Sequence, residues 1–361
     1  MRCHLSINGH SIESPPGTTL VDAALGAWKI IPHDCRSGQC ETCRVTVVAG
    51  SVDDCGTAIG RTVLACQARV SGDAEICFDE LPPPEKRSGA VLEMTLLSSD
   101  IVEVVVRTDS ALNYLPGQYV RLKFSGFPAR EYSPTVRLDG TKAEGELVFH
   151  IRILPDGVVS SALGAAIRIG HRVHVQGPFG SAFLRQGDGP LVLVSGGTGW
   201  APIWAIAHAA RQTQPNRPTF VIAGSRDPAG SYMQPALRWL LDSGVQDVIG
   251  TVEFGAKTPL RLGPPTHYLP PLGMEDTVYV AGPAGLVDAV KSKAKTAAAH
   301  CYADPFLPSE QPVSIADRLR GFLFSRNRQA PGKLNGEIAR SEPVLVHLAA
   351  ISPPERHRSP R

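Results

Sequence analysis

The sequence predicts a multidomain α+β protein made of three unlike parts, and three observations carry that reading. Cysteines at a close, regular spacing lie near the start. From residue 90 short apolar strings recur at even intervals with turn residues between them. From residue 187 apolar runs alternate with helical patterns, and a glycine-rich turn follows the first run. A chain of 361 residues accommodates two or three domains. The parts are placed at residues 1–80, 90–186 and 187–308, with a linker at 81–89 and a flexible extension at 309–361.

Composition narrows the class. A hydrophobic content of 43% supports ordinary globular cores, and a net charge of +2 does not suit a nucleic-acid-binding protein. The charge is uneven: residues 1–81 carry six Lys/Arg against ten Asp/Glu, and residues 311–361 carry nine against four. An acidic first part suits docking on a basic partner face, and equally a plain solvated surface. The start shows no long apolar stretch of the secretory type, and no run of about 18 apolar residues suggests a transmembrane helix. The expected location is cytoplasmic. In that compartment eight cysteines read as ligands and buried thiols rather than disulfides. Cys3, Cys77 and Cys301 are expected to be buried thiols.

The stretch Cys35-Arg-Ser-Gly-Gln-Cys40-Glu-Thr-Cys43 has C-x4-C-x2-C spacing, and Cys66 follows after 22 intervening residues in Leu64-Ala-Cys66-Gln. That is the spacing of plant-type 2Fe-2S ligation, in which four thiolates hold two irons. Zinc ribbons usually present two separated C-x-x-C pairs, which this is not. Gly38 suits a loop folded tightly over a small cluster. Cys55 competes for the fourth place, but Cys66 ends the apolar run Thr62-Val-Leu-Ala and is preferred.

Around this loop the elements are a strand at 3–7, the two-residue turn Asn8-Gly9 and a return strand. A helix at 20–28 is capped by Thr18-Thr19, and further strands follow at 44–48 and 75–78. Hairpin, helix, ligand loop and strands make a β-grasp-like unit, and residues 1–79 resemble a plant-type ferredoxin domain. Glu41 departs from the resemblance, where many relatives carry a small residue. Glu80-Leu-Pro-Pro-Pro-Glu-Lys-Arg-Ser-Gly reads as an extended, semi-rigid linker on which the cluster part swings.

The second part holds expected strands at 91–97, 101–107, 146–154 and 171–176, and one more after the turn Leu115-Pro-Gly-Gln. Even spacing suggests an antiparallel β-barrel. Within it Arg130-Glu-Tyr132-Ser133 precedes Phe149-His150-Ile151-Arg152-Ile-Leu-Pro-Asp-Gly157-Val158-Val159-Ser160. Together with Gly177-Pro-Phe-Gly180 these strings resemble the FAD-binding barrel of the ferredoxin–NADP+ reductase family. Arg130 offers a fork of donors for a pyrophosphate. Tyr132 offers a flat ring for the isoalloxazine. The resemblance makes Ser133 the catalytic candidate, bonding near the flavin atom that receives hydride. A helix is expected from 157 to 163, with N–H groups facing phosphate.

In the third part, Leu191-Val-Leu-Val-Ser reads as a buried parallel strand. The turn Gly196-Gly197-Thr198-Gly199 follows it, and then a helix through Arg211. Strand, glycine turn and helix make a phosphate cradle. The string resembles the nicotinamide-binding loop of the same reductase family. Strands at 219–224, 245–254 and 277–282 with intervening helices, the last at 285–299, predict a doubly wound α/β domain. Ala281-Gly282-Pro stands where relatives often carry Cys-Gly-Pro. Arg226 is a candidate for a 2′-phosphate, but the strand end Glu253-Phe-Gly-Ala lacks the Ser-Arg pair of NADP-specific relatives. NADH is therefore favoured, with NADPH as the alternative. Phe306 is the candidate to cover the flavin ring, and Ile315, Leu319, Phe322 and Leu323 share one face of a short basic helix.

The chain resembles ferredoxin-type reductase components of multicomponent aromatic-ring oxygenases over roughly residues 1–308. The resemblance implies electron flow from NAD(P)H through FAD and the 2Fe-2S cluster to a ring-hydroxylating oxygenase or a small ferredoxin. Two other classes are a self-sufficient flavin oxidase or monooxygenase and a non-catalytic or redox-sensing electron-transfer subunit.

Overall fold

The computed structural model describes residues 2–33, 36–38, 42–255 and 258–306, and the backbone of a two-residue strand at 339–340. Cys35, Cys40, Glu41 and the predicted helix at 315–323 lie outside the described residues. Three sheets follow one another along the chain.

The first is mixed. Strands β1 (Cys3–Ile7) and β2 (His10–Ser14) form a hairpin. Its turn residues Asn8 and Gly9 hold φ of 47° and 78°, the left-handed pair a tight hairpin needs. Helix α1 (Leu20–Gly26) starts where Thr19 Oγ1 accepts from the Asp22 amide. It ends two residues earlier than the pattern suggested, at a turn in which Trp28 takes φ 60°. Strands β3 (Arg44–Asp53), β4 (Thr62–Leu64) and β5 (Arg69–Cys77) complete the order β2-β1-β5-β3-β4. Both β3 and β5 are longer than expected. Gly50 breaks the sequence pattern of β3, yet it lies in the ladder beside a bulge. A Cβ there would stand 2.1 Å from the Asp73 carbonyl oxygen. Leu5, Ile7, Leu20, Ala24, Ile31 and Ile76 fill the core beneath α1. Strand alternation turns Ile76 inward and Cys77 outward, so Cys77 is exposed rather than buried as expected. Cys3 and Cys301 are buried.

The second sheet is antiparallel: β6 (Glu85–Leu96), β7 (Ile101–Thr108), β8 (Tyr119–Phe124), β9 (Arg130–Tyr132), β10 (Glu146–Arg152) and β11 (Arg172–Phe179), in order β10-β7-β6-β11-β8-β9. An isolated bridge from Thr135 to Val148 brings the chain after β9 back to β10 and curls the sheet into a barrel. Residues 85–89, expected in the linker, are instead the start of β6 and pair with β11. Their charges hid a strand pattern whose outer face meets water.

The third sheet is wholly parallel: β12 (Leu191–Gly196), β13 (Thr219–Ser225), β14 (Asp247–Val252), β15 (Arg261–Leu262), β16 (Thr277–Pro283) and β17 (His300–Phe306). Its order is β15-β14-β13-β12-β16-β17. Helices α2 (Trp200–Thr213), α3 (Gln234–Asp242) and α4 (Ala284–Thr296) cover it. A last strand, β18 (Ala339–Arg340), pairs with β6. Helix α2 is buried nearly all round. Trp200 and Trp204 stack at 5.9 Å, and the Trp204 indole N–H donates to the Arg137 carbonyl of the barrel segment at 3.1 Å. Ile101 of β7 and Val136 beside Arg137 share one core with α2, so barrel and parallel sheet pack as a block. Among the described residues no helix is long and apolar enough to cross a membrane.

Candidate cofactor and electron-transfer site

At the cysteine end, the described residues bring Cys43 and Cys66 together. The Cys66 amide donates to Cys43 Sγ at 3.4 Å, which is the kind of N–H to sulfur bond that stabilises a ligating thiolate. Gln67 Nε2 donates to the Arg36 carbonyl at 2.9 Å and reaches Cys66 Sγ at 3.5 Å, tying the loop to the element that bears Cys66. Gly38 holds φ 78°, and a Cβ there would stand 3.2 Å from the Gln67 side chain. Cys43 is buried and Cys66 half-buried, whereas Cys55 is exposed, in a turn where its amide donates to Asp53. The donor set fits a sulfur-ligated cluster at Cys43 and Cys66 rather than at Cys55.

At the barrel, pairing of β9 with β8 puts Arg130 and Tyr132 on one face, and Glu131 on the other, where it meets Arg121 at 3.1 Å. Tyr132 leans on Phe149, ring centroids 6.2 Å apart. Burial pushes its phenol up to about 12, partly opposed by the Arg130 charge, so the ring is a neutral platform. Arg130 Nη1 donates to the Ala129 carbonyl at 2.8 Å, and the guanidinium is oriented by the backbone. Ser133 is buried, and its hydroxyl donates to Asp304 Oδ2 at 3.4 Å. Asp304 was not singled out from the sequence. Burial lifts its carboxyl to about 6; the Ser133 bond lowers it, and Glu131 repulsion raises it.

On β10, Ile151 points into the barrel core, and the His150 ring is enclosed against Tyr232, 5.2 Å between centroids, and 3.6 Å from Glu103. Both side chains are therefore taken up by internal packing. Arg152 ion-pairs with Asp100 at 3.2 Å, and its guanidinium stands 3.2 Å from where a Cβ of Gly197 would be, joining barrel to glycine turn. The expected helix at 157–163 is reduced to one 3-10 turn, Ser160–Ala162. The Ser160 hydroxyl accepts from the Leu154 amide at 3.0 Å and would lie 2.3 Å from any Cβ at position 157. Gly157 is what allows that tight turn. Val158 is half-buried, and Val159 is fully packed in the barrel core.

In the parallel sheet, the strand order reverses direction between β12 and β16, the position where open α/β sheets bind ligands. The glycine turn lies there. A Cβ on Gly199 would be 2.2 Å from the Ala281 carbonyl oxygen, and one on Gly282 would be 2.6 Å from the Gly196 carbonyl oxygen. Backbone alone fits between the two strand ends, as a phosphate cradle requires. Gly197 takes φ 57°, Thr198 is half-buried, and no side chain caps α2; the Trp200 amide bonds back to the Gly197 and Thr198 carbonyls, and Pro202 carries no N–H. Ala281 is buried against the α2 core. Phe306 ends β17, 39% exposed, with Asp304 on the same strand face. Arg226 and Glu253 are both exposed on neighbouring strand ends, joined by the bond from the Phe254 amide to the Arg226 carbonyl. Among the described residues no ion pair joins Arg226 to Asp227.

Comparison with known proteins agrees with this geometry. The 2Fe-2S iron-sulfur cluster binding domain family matches residues 4–71, and the oxidoreductase FAD-binding domain family matches residues 88–183. Fold and site together define an iron–sulfur flavoprotein reductase. Over 324 residues, covering 83% of this chain and 97% of the relative, the sequence is 30% identical to the ferredoxin–NAD(P)(+) reductase component of the naphthalene 1,2-dioxygenase system of Pseudomonas putida. The chain belongs to this family of ferredoxin–NAD(P)(+) reductase components. Two solved structures superpose over 85% of this chain and 99% of their own length. They are an Amycolatopsis cytochrome P450 reductase (27% identity, TM-score 0.61) and the ferredoxin reductase in carbazole 1,9a-dioxygenase (25%, 0.57).

Proposed function

We propose that this protein takes electrons from NADH and delivers them to the oxygenase, or to a small ferredoxin, of an aromatic-ring-hydroxylating system. Held at Arg130 and Tyr132, FAD would supply two-electron hydride chemistry, and a 2Fe-2S cluster held by the cysteines would supply one-electron transfer. The protein supplies the binding, orientation and electrostatics. Cys35, Cys40, Cys43 and Cys66 are the proposed ligands. Arg130 holds the pyrophosphate, Tyr132 supports the flavin ring, and the turn from Gly157 to Ser160 offers backbone donors. Gly196, Gly197, Thr198 and Gly199 with Ala281 and Gly282 hold the nicotinamide cofactor. Phe306 covers the flavin. Ser133 and Asp304 set hydrogen bonding and charge where hydride arrives.

The observation that carries this reading is that β17 joins the parts. Its end lies beside β16 and the nicotinamide crevice, and its Asp304 bonds Ser133 of the barrel. Glu253 beside Arg226 disfavours a 2′-phosphate, which supports NADH over NADPH. The proposed location is cytoplasmic, where reduced thiols persist as ligands. The test is to mix purified protein with NADH, then with NADPH, in the presence of a ring-hydroxylating oxygenase or a small ferredoxin. Faster reduction of the acceptor with NADH supports the reading. No transfer to either protein, with rapid NADH oxidation by oxygen alone, points to a flavin oxidase instead.

A further inference from the structure

One residue outside the sites described so far ties the cysteine-bearing sheet to the rest of the molecule. Arg185 lies between β11 and β12. Its Nε meets Asp79 Oδ2, two residues beyond the end of β5, at 2.7 Å. The guanidinium is fixed before it makes that contact. Its Nη1 donates to the Ser181 and Phe183 carbonyls at 2.8 and 3.2 Å. Its Cζ stands over the Phe183 ring at 3.9 Å and over the Tyr302 ring at 3.7 Å, a cation–π arrangement. The platform is itself braced: Tyr302 stacks on Tyr279 at 5.2 Å, and the Tyr279 hydroxyl accepts from the Arg185 amide at 3.0 Å.

Below this contact is a cavity of about 160 Å³. Arg44 and Cys77 line it from the small sheet, and His300 and Tyr302 line it from β17. Arg44 directly follows Cys43, and Tyr302 stands two residues before Asp304 on the same face of the strand. The small sheet is thus attached at the strand that also carries the flavin-side carboxyl.

We infer that Arg185 is a positioning residue for the flavin-to-cluster step: through Asp79 it clips the cluster-bearing sheet onto β17 and fixes the gap the electron crosses. This rests on the proposed function above. The step moves one electron from reduced flavin to oxidised cluster, with no bond made or broken. Its rate falls exponentially with separation, so small changes in seating are read directly. The Arg185 side chain is 18% exposed and that of Asp79 51%. The pair is therefore accessible to salt and readily opened. The clip is firm on the Arg185 side and loose on the Asp79 side.

The test uses the full holoprotein with Asp79→Asn, Asp79→Lys and Arg185→Lys. Stopped-flow mixing with NADH follows flavin and cluster bleaching separately, at low and high salt. Small-angle X-ray scattering follows the radius of gyration. Flavin bleaching should be unchanged in both Asp79 variants. Cluster reduction should slow about threefold in Asp79→Asn and further in Asp79→Lys, and Arg185→Lys should retain most of the rate. Salt should slow the wild type toward Asp79→Asn and leave that variant unaffected. The radius of gyration should rise in Asp79→Lys. A wild-type rate of cluster reduction and an unchanged radius of gyration in Asp79→Lys would overturn the clip. If NADH fails to bleach the wild-type flavin, the proposed function is overturned, and scattering alone then decides the clip.

Discussion

At the scale of single residues, Asp304 and Ser133 join the parallel sheet to the barrel by a side-chain hydrogen bond. A carboxyl raised to about 6 binds its proton more tightly folded than unfolded. Its contribution to stability is therefore full at pH below the ordinary carboxylate range and is lost as pH rises through about 6. Asp304→Asn should flatten that segment of the stability profile and remove an inflection near 6 from the rate of NADH-dependent flavin reduction. A stopped-flow pH series shows either outcome. Trp28 is 94% exposed in a left-handed conformation that costs a residue with a Cβ about 1–2 kcal/mol. Trp28→Gly should raise the thermal midpoint of cluster-absorbance loss, because little packing is surrendered. Cys66→Ser should abolish the cluster spectrum, and Cys55→Ser should leave it intact; the reverse pattern would make Cys55 the fourth ligand. Asp304 escaped sequence reading because a lone acidic residue between alanine and proline carries no periodic signal. Only the fold brings it to Ser133, 171 residues away.

Elements were legible where local pattern and tertiary role agree. The Asn8-Gly9 hairpin, the all-β middle and the strand, glycine turn and α2 unit are examples, since turn chemistry or uninterrupted apolarity marks each one. They were obscured where packing overrides local preference. β17 contains Ala-Asp-Pro, poor strand formers, yet it pairs with β16 along its whole length. β15 is two residues long and has no pattern to read. The glycine turn at the switch point is an element whose sequence is constrained by space. Gly199→Ala would place a methyl 2.2 Å from the Ala281 carbonyl oxygen. The strand ends must then part, at a cost of about 1–3 kcal/mol. NADH affinity, measured by titration of the flavin absorbance, should fall several-fold; unchanged affinity would mean that the crevice tolerates a side chain there.

For the whole molecule, order along the chain is also order of electron flow in reverse: nicotinamide crevice last, barrel in the middle, cysteine loop first. Cysteine spacing and the sequence strings of the barrel and crevice made that order readable. The way the parts seat on one another was not readable, because it depends on contacts such as Trp204 with Arg137 and Arg185 with Asp79, between residues 67 and 106 apart. The charge pattern that suggested a swinging linker is in part a barrel strand, which leaves residues 78–84, with the prolines at 82–84, as the unpaired stretch between the two sheets. The most direct test of the whole scheme is an anaerobic NADH reduction of wild type and Cys43→Ser, with flavin bleaching and cytochrome c reduction followed together. The account predicts flavin bleaching in both proteins, with cytochrome c reduction in the wild type and its near loss in Cys43→Ser. Undiminished cytochrome c reduction without the cluster, or a wild-type flavin that NADH leaves oxidised, would contradict it.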